Sequence, residues 1–280
     1  MTRSRSDLCP GVQRPWPAED GGLVRIRLVG GAVSGPGLAA LAAVAAAYGD
    51  GELHLTGRAN LQLRGLPLED GVLPVKVSEA ITATGLVPHP THDLVRNVML
   101  SPLSGISGGT ADLRAVARSY DDLLCADPGL AELPGRFLVV LDDGRGDVQG
   151  RSLDLGAMAV DAGHAQVRAG SSGWGEVLDL EEVPAALVAL AHTFLDARGS
   201  GETAAWHVDE LDAPLLDGAR DVRTLRNAGP LPYGLHEGAE HVEVPDGVLT
   251  PALLEQLTGA AELVVTPWNG IVVPVGTVTA

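Results

Sequence analysis

The sequence predicts an α+β protein that carries one small unit twice, with a different α/β region between the copies. Three observations predict it. A segment near the start, GAVSGPGLAAL followed by ELHLTGRANLQLRG, returns in altered form near the end as DGVLTPALLEQL followed by ELVVTPWNGIVVP. Glu52 and Thr56 match Glu262 and Thr266, while Ser34 and Leu41 match Thr250 and Leu257. Both copies run strand, helix, strand, strand, and the residues between them do not. Two copies are too few for a solenoid, so the repeat implies one pseudo-symmetric body.

Residues 1–22 are rich in proline, glycine and charge and read as an N-terminal arm. LVRIRLVG, from Leu23, alternates apolar with polar and predicts a strand. Ser34 caps a helix from Pro36 to Tyr48, with Leu38, Leu41 and Tyr48 near one face. ELHLT and NLQLRG are short strands around a turn at Gly57, and a weaker helix follows around Val77 to Thr84. That order, β-α-β-β-α over residues 23–85, is most of a ferredoxin-like unit. The second copy, residues 236–280, repeats it with EHVEVP, a helix from Pro251, ELVVT and GIVVPV. It ends four residues after Gly276, so this second half is expected to be incomplete, without its last helix.

Residues 86–211 form the intervening α/β domain. DLRAVARSYDDLL reads as an amphipathic helix, and RFLVVLDDGRGDV as a strand opened by Arg136 and closed by a turn. SLDLGAMAV and QVRAG read as strands, and Pro184 to Arg198 as a long helix. Residues 212–235, with three prolines and several glycines, read as a linker.

Composition narrows the function classes. Net charge is −17, which disfavours nucleic acid and anionic membrane as partners, because both need a cationic face. Hydrophobic residues make up 45% but aromatics only 3%, so the core is built from Ala, Val and Leu. Lys76 is the only lysine, a bias that a GC-rich genome explains. Two cysteines, Cys9 and Cys125, do not make a disulfide framework. With no apolar core near the N-terminus and no run of ~20 apolar residues, the expectation is a cytoplasmic protein.

Four arginines stand out as candidate ligand-holding groups: Arg58 at a strand-to-turn junction, Arg64 on the next strand, Arg96 in LVRNVMLSPLSG, and Arg136. Arginine beside a core segment needs a carboxylate or anion partner, because an unpaired buried charge is costly. By spacing alone, internal ion pairing in so acidic a chain explains them better. His89 and His92 in PHPTHD could hold a metal with Asp93, but a solvated loop explains them better. Asp142, Asp143 and Asp147 in DDGRGDV fit a hairpin turn better than calcium. LVGGAVSGPG follows a strand and opens a helix, but it is not a GxGxxG dinucleotide fingerprint.

TGRANLQLRG, RNVMLSPLSG and LPGRFLVVLDDGRGDV, in that order, resemble the nitrite/sulfite reductase superfamily, and within it the precorrin-3B synthase branch of cobalamin biosynthesis. CPGVQRPWPAEDGGLVRIRL and TPWNGIVVP fit the same resemblance, which runs from about Cys9 to Gly276. It implies two ferredoxin-like half-domains alternating with larger α/β domains, an oxidoreductase activity and a polycarboxylate tetrapyrrole, a precorrin, as substrate. It also implies Arg58, Asn60, Arg64, Arg96, Asn97 and Arg136 as substrate-binding residues. The reductase branch carries sirohaem and a basic pair, whose first position is Arg136 here and whose second is Leu138. The loss of that second cation argues against sulfite or nitrite reduction.

The resemblance further implies a 4Fe-4S cluster held in a C-terminal domain. Such a cluster takes about four thiolates, and Cys9 and Cys125 read as structural and packing residues. The expectation is therefore no cofactor on this chain alone, with a second polypeptide carrying the cluster domain as a possible partner. The alternative is a non-catalytic tetrapyrrole-binding protein without a cluster.

Overall fold

The structure is a computed structural model, and residues 8–275 are described. Two compact units emerge: one holds residues 9–94 and 232–275, and the other holds residues 95–231. The repeats thus share a single unit, as the pseudo-symmetric reading expects, and the architecture is α+β.

In the repeat unit the first copy contains β1 (Trp16–Ala18), β2 (Gly21–Ile26), β3 (Ala32–Val33), α1 (Gly35–Tyr48), β4 (Leu53–Leu55), β5 (Leu61–Leu66) and α2 (Val75–Ala83). The central unit contains β6 (Val98–Leu100), α3 (Arg114–Ala126), β7 (Val139–Asp142), β8 (Leu155–Ala159), β9 (His164–Ala169), β10 (Gly173–Asp179) and α4 (Val183–Ala197). The second copy contains β11 (Gly234–His236), β12 (Ala239–Glu243), β13 (Val248–Leu249), α5 (Pro251–Leu257), β14 (Leu263–Thr266) and β15 (Gly270–Pro274).

Each copy builds a five-stranded antiparallel sheet, ordered β1-β2-β5-β4-β13 in one and β11-β12-β15-β14-β3 in the other. The fifth strand of each sheet comes from the opposite copy. Val248 and Leu249 pair with His54 and Leu53, and Ala32 and Val33 pair with Val264 and Leu263. This reciprocal exchange locks the two halves into one body. The chain turns into β3 through Gly31, whose φ of +77° suits glycine, and an added Cβ there would meet Val265 O at 2.3 Å. Ser34 and Thr250 then cap α1 and α5, each accepting a backbone N–H three residues on.

One core serves both copies. Val24, Ile26, Leu38, Leu61, Leu263 and Ile271 are each fully buried within it. Alternation sends the other residues of β2, β4 and β5 (Arg25, His54, Gln62 and Arg64) to the opposite face of the first sheet.

Residues 16–18, within the stretch read as an arm, form the sheet's edge strand against β2. The segment 212–235 is also more than a linker. Gly218 N donates to Trp174 O, and Gln166 binds both Ala219 O and Asp221 N, so its middle is laid onto β9 and β10. Thr224, within it, is wholly buried.

The central sheet runs β10-β9-β8-β7-β6, with β6, β7 and β8 parallel and β8, β9 and β10 antiparallel. Helices α3 and α4 pack together on it, and Phe137 and Phe194 meet at a centroid distance of 5.1 Å. DDGRGDV is therefore not a hairpin turn. It starts a loop between parallel neighbours, which a tight two-residue turn cannot join. Arg136 lies in the turn ahead of β7 rather than opening it, since Phe137 N bonds back to Pro134 O.

Candidate functional site

In the repeat unit Arg58 rides on the turn between β4 and β5. Thr56 Oγ1 accepts from Asn60 N at 3.2 Å and from Arg58 N at 3.4 Å, and Ala59 completes the turn at φ +57°. Asn60 is 1% exposed, and its Oδ1 accepts Leu28 N–H at 2.9 Å. That bond ties the turn to the chain leaving β2.

The end of β2 supplies two cations that the sequence reading left without a role. Arg25 and Arg27 alternate with Val24 and Ile26, so they share the face of Gln62. Arg27 is 2% exposed, donates from Nη1 to Pro10 O at 3.1 Å, and lies 4.0 Å from Asp93 Oδ1. Burial lowers its pKa to about 10, with Arg25 and Arg58 adding repulsion and Asp93 opposing it. Arg25 is half-buried, and desolvation lowers its pKa too; its buried Nε has no hydrogen-bond partner among the described residues. Arg25, Arg27 and Arg58 thus make one cationic cluster.

Asp93 anchors the chain beside this cluster. Its Oδ2 accepts Val12 N–H at 2.9 Å, and a Cβ at Gly11 would meet that same oxygen at 2.4 Å, so CPGV requires glycine there. The PHPTHD segment is accordingly only partly solvated. His89 to Thr91 are exposed, whereas His92 and Asp93 are 4% and 5% exposed, because Asp93 is pinned against residue 12. Arg64 is committed to an exposed ion pair, Nε to Asp20 Oδ2 at 2.8 Å. That bond holds the Asp20 carboxyl below its ordinary value.

In the central unit the remaining predicted residues gather at the N-terminal ends of parallel strands. Arg96 precedes β6 and binds Asp121 of α3 through two hydrogen bonds of 2.8 and 2.7 Å. Asn97, 1% exposed, donates from Nδ2 to Gly135 O at 2.9 Å, and its carbonyl accepts Val139 N–H. The RN motif and the turn carrying the exposed Arg136 are thereby stitched together. Asp154, fully buried ahead of β8, accepts from Leu138 N and Val208 N.

The three acidic side chains in the β7–β8 loop have oxygens within 4.8 Å of one another. Asp142 accepts the backbone N–H groups of Gly144, Gly146, Val148 and Gln149, and Asp143 grips Arg145 at 2.7 Å. Asp147 Oδ1 accepts from Ser101 Oγ, while its Oδ2 is buried with no hydrogen bond among the described residues. Burial, with Asp142 and Asp143 nearby, pushes the Asp147 carboxyl up to about 7. Arg145 stands 3.8 Å from it but is committed to Asp143, which is why the carboxyl still rises.

Residues 16–71 match the nitrite/sulfite reductase ferredoxin-like half domain.

Relatives agree with that match. The ferredoxin–nitrite reductase of Synechococcus elongatus is 35% identical over 130 residues, 44% of this chain and 25% of that protein. The precorrin-3B synthase of a Sinorhizobium species is 31% identical over 161 residues, 56% of this chain and 32% of that protein. The solved structure of Mycobacterium tuberculosis NirA protein matches with a TM-score of 0.68 at 17% identity, over 90% of this chain and 53% of that one. At that identity the likeness is one of fold. The matched stretches span about a quarter to a third of these curated relatives.

The two copies of the half domain differ where it matters for an anion. Equivalent strand registers set His241 and Glu243 of the second copy in the places of Arg25 and Arg27. They likewise set Val272 and Val264 in the places of Gln62 and His54. Trp268 stands where the first copy has Arg58. His241 is buried between Tyr233 and Trp268, at 4.7 and 6.4 Å, and its Nε2 bonds Thr266 Oγ1. Only the first half domain, then, presents the cationic cluster.

A four-iron cluster is a poor fit to this chain. Its two cysteines fall in different units, and the Cys125 thiol is pushed up to about 11 by burial, away from the thiolate a metal needs. No helix among the described residues is long and apolar enough to cross a membrane.

Proposed function

We propose that this chain is the substrate-binding part of a precorrin-3B synthase-type oxidoreductase of cobalamin biosynthesis, and that the first half domain holds the carboxylates of a precorrin. The observation that carries this reading is Arg25. Its Nε is buried with no hydrogen-bond partner among the described residues, beside Arg27 and Arg58, in a chain of net charge −17. A polycarboxylate tetrapyrrole supplies several carboxylates on one flat ring, and the fork of a guanidinium pairs with each of them bidentately.

In this reading Arg58, with Arg25 and Arg27, binds and orients one edge of the ring. Arg64 exchanges Asp20 for a ligand carboxylate, while Arg96 stays paired with Asp121 in the central unit. Asn60 and Asn97 act through the backbone, since their side chains fix the turns that carry Arg58 and Arg136. Leu138, 3% exposed, puts an apolar side chain at the position of the second cation, which supports a large organic substrate over sulfite or nitrite. Reducing equivalents and the cluster come from a second polypeptide, and the work is done in the cytoplasm.

A second reading, a tetrapyrrole-binding protein without turnover, is favoured by the cysteine count alone. Absorbance titration with a carboxylated tetrapyrrole tests what the two readings share. Precorrin turnover by the chain together with a polypeptide that carries a four-iron cluster separates them: conversion selects catalysis, and binding without conversion selects the second reading.

A further inference from the structure

The central unit contains a cavity of about 430 Å³ whose lining includes Arg168, Arg220, Arg226, Trp174 and Gln149, and no carboxylate. In a protein with 36 acidic residues, three arginines around one empty volume require an explanation. Arg168 is 8% exposed; its Nη1 donates to Gln149 O at 3.0 Å, and its Nε is buried with no hydrogen-bond partner among the described residues. The guanidinium carbons of Arg168 and Arg220 lie 5.0 and 4.7 Å from the Trp174 ring centroid, so two cations stack on one indole.

Their other partners are neutral. Arg220 donates to Thr224 Oγ1, Thr224 O and Gln149 Oε1 at 2.9, 2.6 and 2.9 Å. Arg226 donates to Thr110 Oγ1 at 2.9 Å and Gly144 O at 3.3 Å. The nearby acids are engaged: Asp142 with four backbone amides, and Asp209 with Ser171 N at 2.8 Å. Burial and the Arg220 charge both disfavour the charged form of Arg168, against weaker attraction from Asp142 and Asp209. Arg168 is desolvated and Arg220 and Arg226 are exposed beside it, and such a clustered positive charge, held in place by neutral carbonyls and hydroxyls, is stabilised most by an anion. The wall carrying Arg220 and Arg226 is the segment laid against β9 and β10, so the cations are held on a fixed frame.

We propose that this cavity is an oxyanion site that takes the carboxylate or phosphate group of a small ligand. The inference does not rest on the tetrapyrrole reading, since all its residues belong to the central unit. Citrate and inorganic phosphate are the probes, titrated separately into the full chain at low ionic strength. The readouts are heat and tryptophan emission. Saturable binding is expected for at least one of them, weakened at least ~10-fold by Arg168→Met, which keeps an unbranched stem against Trp174. The emission change is expected to vanish in Trp174→Phe. Tighter citrate assigns a carboxylate ligand, and tighter phosphate assigns a phosphate ligand. Should circular dichroism show that Arg168→Met does not fold, the exposed Arg226→Gln serves instead, with the same expected loss. No saturable binding of either ion, or unchanged affinity in the folded variant, overturns the proposal.

Discussion

Thr56 and Thr266 hold the same turn in the two halves of the repeat unit. Thr56 Oγ1 receives Asn60 N–H, and Thr266 Oγ1 donates to Gly270 O at 3.1 Å. Between them sit Ala59 at φ +57° and Asn269 at φ +53°. The turn is common to both copies, and its cargo is not: Arg58 in one, Trp268 in the other. Duplication kept the backbone device, and the side chain mounted on it separates a cationic copy from an aromatic one.

The helix caps are equivalent in the same way. Ser34→Ala and Thr250→Ala are each expected to cost ~1 kcal/mol, because each removes the acceptor for one N-terminal amide. Urea denaturation of the two single variants checks this. A cap whose loss leaves the midpoint unmoved does not contribute to stability.

Arg96 and Asp121 form a bidentate pair with side chains 9% and 12% exposed. Breaking it with Asp121→Ala removes two charge-assisted hydrogen bonds from a buried guanidinium and is expected to destabilise the protein by about 3 kcal/mol. Asp20→Ala, which breaks the exposed pair with Arg64, is expected to leave the midpoint almost unchanged. Similar effects from both variants would contradict this ranking by burial.

Asp147 gives a pH signature. Its folded carboxyl titrates near 7 against an ordinary 3.8, chiefly because it is buried. Between those values the folded state binds more protons than the unfolded one, so stability falls as pH rises from about 4 through 7. Asp147→Asn keeps an acceptor for Ser101 and removes the charge. Its stabilising effect is expected to be larger at pH 8 than at pH 5, by at most ~3 kcal/mol. Thermal melts at the two pH values test it, and an equal shift at both contradicts the assignment.

Much of this fold is legible in the sequence because the repeat marks positions with fixed backbone duties, such as Ser34 with Thr250 and Thr56 with Thr266. The strand exchange is not legible, since Ala32–Val33 and Val248–Leu249 are two residues each and carry no periodicity. The loop after Asp142 reads as a hairpin because its glycines suit one, and only the parallel pairing of β7 with β8 rules that out. In the candidate site, Arg58 and Arg96 stand out by motif. Arg25 and Arg27 were hidden in plain alternation: RIRL fixes their common face but not what covers it. Arg64 finds its carboxylate 44 residues away, a distance no local pattern spans.

The central claim is that the first half domain binds a carboxylated tetrapyrrole through its arginine cluster. The most direct measurement is an absorbance titration of the full chain with sirohaem or a precorrin, repeated on Arg58→Ala and Arg25→Ala. The account predicts a saturable spectral change in the native chain, with affinity lowered in each variant by ~1.5–3 kcal/mol, or about 10- to 150-fold, for loss of one charge-assisted contact. A native chain without saturable change, or variants that bind as tightly as the native chain, would contradict it.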